Sequence, residues 1–521
     1  VVRCLSENTS SGIFVSESLS SSQSIPVRRD TVVAFLGSAP RGPVGIPVTI
    51  SGIDEFLQRF GVPGHDGALL KILRQFFANG GKNATVVRVC SSARRHHMVF
   101  PGPSGVLTLE AINPGPFELL RASIDYDGIL STDFDRFNLV IHRLTSRVSP
   151  IIEQQEVYHG LSVDVADPDY IGYALLGSEL VSIKDRIPEQ RPDITFCHDI
   201  EIGASYVYGD QEWAETGHLT DYDLIGCNTE GTGLFALDQE PFVDIICPVA
   251  DERDLGPVAL FTAERYCRKR NAIMLLDPPA DWQSVRSAIR QARKSGFMSP
   301  NVVSYFPRPI NSNQQPDSLI GALAGTLVSS DARVGVWGMH EEAQLRMQGC
   351  VQLPYDLNVE EQQALKRVGI NSLRITKLPH FELSGLVTLN QGYGCTAEWD
   401  KLCQRRTALF ILENIARGSQ WAAFQKNDSE TWSELHDQVQ RYLHDLFTAG
   451  ALFGAKAADA GYVICDRKTN SGDTPTDELG ISFIVGFTLR GQGMLSFRFH
   501  QQPVECRIQA LRIEDPVALT G

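Results

Sequence analysis

Three short stretches of this 521-residue chain carry residue types suited to chemistry. Gly80-Gly81-Lys82 has the small and basic residues of a loop that cradles phosphates, but it lacks the upstream glycine and the following Ser or Thr such a loop needs, so it predicts a turn. Gly231-Thr232-Gly233-Leu234-Phe235-Ala236 satisfies the pattern GxGxxA. A dinucleotide fingerprint must join a strand to a helix, and neither is clear on its two sides, so it predicts a loop. Cys197-His198-Asp199 with Glu201 offers metal-binding atoms, yet neighbours along an extended chain point alternately and no second cluster completes a coordination shell. His436 and His444 share one predicted helix and are expected at its surface. The chain has no GxSxG elbow and no spaced Ser/His/Asp set. These residues predict no catalytic, cofactor or metal site, and a protein that is not an enzyme. The eleven cysteines include no CxxC pair, which favours reduced thiols over a disulfide framework or a zinc site.

Charge narrows the partners. The formal net charge of -15 argues against a phosphate-binding surface, so nucleic acid is not an expected partner. The excess is concentrated: residues 91–230 hold 9 Lys and Arg against 23 Asp and Glu. Such a segment is most stable where it faces solvent, whereas the nearly balanced remainder suits contact with copies of itself. The least polar stretch, Leu319–Val328, is about half of what a membrane-spanning helix needs, so no membrane insertion is expected. Glu7, Glu17 and many serines occupy the first thirty residues without an apolar core, which predicts no secretory signal and a protein made in a cytoplasm.

The elements that would position these residues follow from periodicity. Strands are predicted at Thr31–Leu36, Val48–Ile50 and Ala84–Val89, with helices at Gly52–Phe60 and Asp66–Ala78. From Phe242 the chain alternates strand Phe242–Val249, helix Gly256–Lys269, strand Ala272–Leu276, helix Trp282–Lys294, strand Asn301–Tyr305 and helix Asp317–Leu327, which is the grammar of parallel βαβ units. Between them, residues 91–230 show short alternating strands such as Val106–Leu109 and Phe137–His142, and one helical stretch, Tyr170–Val181. Downstream lie a helix at Glu398–Ala416, a strand at Gln420–Phe424, a helix at Glu430–Ala449, and strands at Gly461–Cys465, Ile481–Leu489 and Met494–His500. A lone strand stands at each end, Gly12–Val15 and Val504–Ile513, and lone strands beside a small sheet suit strand addition between subunits.

The fold class expected is α/β and multidomain: a three-layer α/β core from 31–90 and 231–380, an acidic, outward-facing β-rich insertion at 91–230, an α+β domain at 381–503, and arms at 1–30 and 504–521.

Four ordered blocks carry a family resemblance. TVVAFLGSAPRGPVGIPVTISGIDEFLQRFG with FFANGGKNATVVRV resembles the opening of contractile tail sheath proteins, and AIMLLDPPADW then DARVGVWG continues it. LNVEEQQALKRVGINSLR follows, and the block that opens at SQWAAFQKNDSETWSELHDQVQRYLHDLFTAGALFG looks like the family's C-terminal domain. The resemblance implies a subunit that polymerises helically around a tail tube in a metastable extended state and contracts to drive the tube through a host envelope. It implies partners in further copies of the chain, the tube, the baseplate and the tail terminator, and a place in the virion's contractile tail, assembled in the bacterial host's cytoplasm. A headless injection particle is the alternative setting, and a cytosolic α/β hydrolase the alternative from another class.

The resemblance also assigns roles. Terminal arms enter neighbouring subunits in the family, which here selects Gly12, Ile13, Phe14 and Val15 at one end and Cys506, Ile508, Leu511 and Ile513 at the other. A charged helix of the C-terminal domain holds the sheath on its tube. Here that helix is 430–449, whose Trp432, Leu435, Val439, Tyr442, Leu443 and Leu446 form a core face opposite Glu434, Asp437, Gln438, Arg441 and Asp445. Glu434, Asp437, Arg441 and Asp445 are therefore the tube-contact candidates.

Overall fold

The computed structural model describes residues 24–28, 30–62, 67–91, 94–115, 117–145, 151–195, 206–210, 219–250, 254–311, 315–338, 345–348, 352–377, 380–390, 399–470 and 480–511. Among these, the residues up to Phe410 from 30 onward form one compact unit, and 24–28 with 411–511 form a second.

The first unit opens with β1 (Val33–Gly37), β2 (Pro47–Ile50), α1 (Ile53–Phe60), α2 (Ala68–Ala78) and β3 (Ala84–Arg88). The acidic segment then supplies β4 (His97–Gly102), β5 (Gly105–Ala111), β6 (Leu120–Asp125), β7 (Arg136–Leu144), β8 (Ile152–Ser162), α3 (Ile171–Ala174), β9 (Val181–Ile183), β10 (Val207–Tyr208) and α4 (Asp221–Ile225). The alternation resumes with β11 (Ile245–Pro248), α5 (Pro257–Lys269), β12 (Ile273–Leu276), α6 (Val285–Ser295), β13 (Val302–Phe306), α7 (Ile320–Val334), β14 (Arg346–Met347), α8 (Val359–Lys366), β15 (Asn371–Lys377) and β16 (His380–Ser384). The helix α9 (Leu402–Gly418) follows.

One sheet takes strands from both sides of the acidic segment, in the order β14-β16-β15-β13-β12-β11-β1-β3-β2. Its centre is parallel, from β3 through β1, β11, β12 and β13 to β15, and antiparallel β2 and β16 flank it. The central strands β1, β11 and β12 are apolar along their whole length because both faces are covered. Phe35, Cys247 and Leu275 pack in one cluster with Leu73 and Phe76 of α2 and Leu323 of α7. Their neighbours Leu36, Ile246 and Met274 pack in another with Cys267 of α5, Ala288 of α6 and Leu365 of α8. The α2–α7 contact is close: a Cβ on Gly321 would lie 2.1 Å from the Ile72 carbonyl oxygen, and one on Gly325 2.4 Å from that of Phe76.

The acidic segment forms two antiparallel sheets, β4-β5-β9 and β10-β6-β7-β8, which share one apolar cluster that includes Phe100, Leu109, Ile124 and Ile141. The helix expected over Tyr170–Val181 is interrupted: only Ile171–Ala174 is α-helical, Leu175–Gly177 is a 3-10 turn, and Val181 already begins β9. Ser178 is the physical reason, since its hydroxyl oxygen accepts from the backbone N–H groups of Leu180 and Val181 and offers them an alternative to helix.

The second unit contains the end of α9, then α10 (Ser429–Thr448), α11 (Ala457–Ala460), β17 (Gly461–Ile464), α12 (Arg467–Asn470), β18 (Ile481–Thr488), β19 (Met494–Gln501) and β20 (Cys506–Leu511). Gln420–Phe424, expected as a strand, is a 3-10 helix. A short apolar run does not distinguish the two, and here Ala422 and Ala423 are buried while the Trp421 indole N–H donates to Gln438 Oε1 at 2.9 Å.

Candidate assembly surfaces

The charged helix α10 begins at Asp428, whose side chain accepts from the Thr431 N–H at 3.1 Å. That backbone bond holds the Asp428 carboxyl below its ordinary value. Leu435, Val439, Tyr442, Leu443 and Leu446 are buried as their spacing requires, and the Tyr442 hydroxyl accepts from Asn414 Nδ2 at 2.9 Å. Glu434, Asp437, Arg441 and Asp445 are all exposed. Arg441 donates to the Asp437 backbone carbonyl at 3.1 Å, and Asp437 accepts from His436 at the same distance. Three carboxylates beside one guanidinium make an acidic strip that favours a basic counterpart.

Two assignments on this helix change. Gln438 is buried rather than solvent-facing, since it accepts from Trp421 and donates to the Gly418 carbonyl at 3.1 Å. Trp432 is only half-buried, and its indole N–H donates to Asn427 at 2.6 Å. Helical spacing locates a face but does not reveal a long polar side chain that another element covers.

Below α10 lies a sheet in the order β17-β18-β19-β20. Phe483 stacks on Phe499 at 4.9 Å between ring centroids and Phe487 on Phe497 at 5.4 Å, which sets the β18–β19 register. A Cβ on Gly486 would fall 2.1 Å from the Tyr462 ring, so only glycine admits that ring across β17 and β18. The strand expected to stand alone at the C-terminal end is paired within the chain: β20 runs antiparallel to β19 from Ser496–Leu511 to Gln501–Cys506. Cys506, Ile508 and Leu511 are half-buried there, and burial pushes the Cys506 thiol up to about 12. Among the described residues β20 and β17 have one strand neighbour each in this sheet, and their outer edges present the backbone groups that strand addition uses. Gly12, Ile13, Phe14, Val15 and Ile513 lie outside the described residues.

The chemistry-bearing stretches take ordinary places. Gly80 and Gly81 turn the chain from α2 into β3, where the Phe76 ring occupies the space beside Gly81. Gly233–Gln239 is a 3-10 helix, and a Cβ on Gly226 would lie 2.2 Å from the Thr232 carbonyl oxygen, so these glycines serve close backbone packing. His444 is exposed and His436 half-buried beside Asp437. Cys197, His198, Asp199 and Glu201 lie outside the described residues. Among the described residues no group of three or more His, Cys, Asp or Glu is placed to hold a metal, and no helix is long and apolar enough to cross a membrane. Cys247 and Cys267 are buried thiols, and the buried Cys403 thiol faces the Trp337 carbonyl at 3.4 Å.

Sequence reasoning passed over a buried polar network in the first unit. Arg406 of α9 pairs with Asp331 of α7, and the Thr31 hydroxyl donates to the same carboxylate at 2.7 Å. The sequence signal was weak: Asp331 ends the apolar run of α7, and Arg406 is one of several charges on α9.

No protein-family model and no curated protein sequence matches the chain. Solved structures do. A sheath tail protein of Listeria innocua superposes with a TM-score of 0.60 at 12% identity, over 91% of this chain and 96% of that one. The helical sheath of the anti-feeding prophage in its contracted state gives 0.50 at 13% identity, over 98% of both chains. A chain of the contracted anti-feeding prophage baseplate gives 0.52 at 13% identity, over 92% and 95%. Identities this low speak to architecture, and the architecture extends over nearly the whole of each chain: this chain has the tail-sheath fold.

Proposed function

We propose that this chain is the sheath subunit of a contractile tail, polymerising helically around a tail tube in a metastable extended state and contracting to drive the tube through a host envelope. The superposition on sheath proteins across more than nine-tenths of both chains supports this reading. The three-layer core with an acidic, solvent-facing insertion gives a near-rigid body, and the β17 and β20 edges give it places to join neighbours. Strand addition there gains about 1 kcal/mol net per backbone hydrogen bond, enough to keep subunits linked while they rotate. The N-terminal segment 12–15 and the C-terminal segment that continues from β20 are the arms of that connection. The acidic strip of α10 faces the tube, whose matching surface is basic. Contraction is a change between two lattice packings and calls for no covalent step by this chain. Baseplate and terminator proteins bound the lattice at its two ends, and the particle is assembled in a bacterial cytoplasm.

The match to the anti-feeding prophage sheath favours a second setting, a headless injection particle, for the same mechanical role. Negative-stain electron microscopy of the purified chain, with size-exclusion chromatography at low and high concentration, tests the proposal. Hollow cylinders with a regular helical repeat are expected. A chain that stays monomeric at every concentration, alone and with its cognate tube, overturns it.

A further inference from the structure

The helix α6 is unlike the rest of this acidic protein. Over Val285–Ser295 it carries Arg286, Arg290, Arg293 and Lys294 and no acidic residue. The three arginines recur at helical spacing on one exposed face, and among the described residues none of them forms an ion pair. Together with Val285, Ile289 and Glu361 of α8 they line an open groove of about 590 Å³. Three guanidiniums against one carboxylate, around two half-buried apolar side chains, define an occupant that is acidic and partly apolar.

This chain holds such a surface on its own acidic segment. The loop between β6 and β7 carries Asp127, Asp133 and Asp135, and it exposes Leu130 by 75% and Phe134 by 64%. The turn after β8 lies beside it, joined by the bond from the Val163 N–H to the Asp135 carbonyl at 3.1 Å, and adds Asp164, Asp167 and Asp169. Arg136 pairs with Asp133, Asp167 and Asp169, which leaves the end of the segment strongly acidic around two large exposed apolar side chains.

We propose that the Arg286–Arg290–Arg293 groove of one subunit receives the Leu130–Phe134 loop of a second copy. The two surfaces differ in kind, so the contact is heterologous, and a heterologous contact that does not close a ring builds an open helix. Unlike charges steer the subunits together and fix the register, while Leu130 and Phe134 bury against Val285 and Ile289. The inference rests on the sheath reading, because it gives one loop of the otherwise solvent-facing acidic segment a neighbour in the lattice.

Two full-length variants test it, with the wild-type chain as reference. Arg286→Glu/Arg290→Glu/Arg293→Glu gives an acidic groove facing an acidic loop. Asp127→Lys/Asp135→Lys/Asp164→Lys gives a basic loop facing a basic groove. All six positions are exposed, so both variants are expected to fold, with circular dichroism as the check. Each alone is expected to need at least about tenfold more protein than wild type to form cylinders in sedimentation and electron microscopy, because like charges then meet at every contact. An equimolar mixture is expected to assemble near the wild-type concentration, since each loop then finds a groove of opposite sign. Wild-type assembly by either variant alone, or failure of the mixture to recover, overturns the inference and leaves the sheath reading standing. A wild-type chain that forms no helical assembly with or without its tube overturns both.

Discussion

Arg406 is the residue whose neutralisation has the clearest expected cost. Its side chain is 3% exposed, it pairs with an Asp331 that is 1% exposed, and Thr31 completes the carboxylate's bonds. Removing one member leaves a buried charge without its partner, which costs about 3–5 kcal/mol, whereas replacing both by apolar residues is often neutral. Arg406→Met is therefore expected to lower the urea-unfolding stability by that amount, and Arg406→Met with Asp331→Leu to recover most of it. A single-variant loss below about 1 kcal/mol, the range of exposed pairs, refutes the burial argument. Glu153 of β8 makes an acid-dependent contact. A hydrogen bond from the Arg41 guanidinium, opposed by burial, holds its carboxyl below the usual range. A carboxyl lowered in the folded state stabilises the protein above its unfolded value of about 4.3 and loses that contribution as pH falls through the folded value. Stability should fall more steeply below about pH 4.3 in wild type than in Glu153→Gln, and parallel curves would remove the assignment. Neither pair was legible in the sequence, because a charge inside an amphipathic helix or strand looks the same whether water or a distant partner satisfies it.

At the scale of elements, α7 depends on its glycines. Gly321 and Gly325 bring its backbone against α2, so a larger residue must push the helices apart and strain the face that carries Phe35 and Leu275. Gly325→Val is expected to destabilise the first unit by about 1–3 kcal/mol or more, read as a shift in the thermal midpoint without change in helix content. An unchanged midpoint would show that the helices separate freely. The alternation of strands and helices from β11 to α7 was readable because those strands are apolar but for Ser304 and the helices between them are long. The two misread segments, Tyr170–Val181 and Gln420–Phe424, are short, and in each a side-chain bond chooses the backbone: Ser178 in the first, Trp421 to Gln438 in the second.

For the whole molecule the relevant quantity is assembly. β20 is held by β19 in its own sheet, so its removal uncovers β19 and, with it, the place proposed for the C-terminal arm. Deleting residues 504–521, or residues 1–18, is expected to leave folded monomers, judged by circular dichroism, that form no lasting cylinders at concentrations where wild type does. Cylinders of wild-type length from either truncation would refute the arm argument. The same comparison across ionic strength separates the two kinds of contact: strand addition persists in high salt, while the groove–loop contact weakens as the Debye length shrinks to about 3 Å near 1 M.

What the sequence by itself determined is what local patterning controls: the continuously apolar strands Val33–Gly37, Ile245–Pro248 and Ile273–Leu276, the helices between the later strands, and an acid excess confined to 91–230. Four blocks in order also pointed to the fold that the sheath structures share. The tertiary structure alone decided that β20 pairs with β19, that Gln438 is buried, that Asp331 meets Arg406, and that Glu361 of α8 joins the exposed arginines of α6 in one groove. Each of these depends on partners brought from elsewhere in the chain, and periodicity along one segment carries no information about what packs against it.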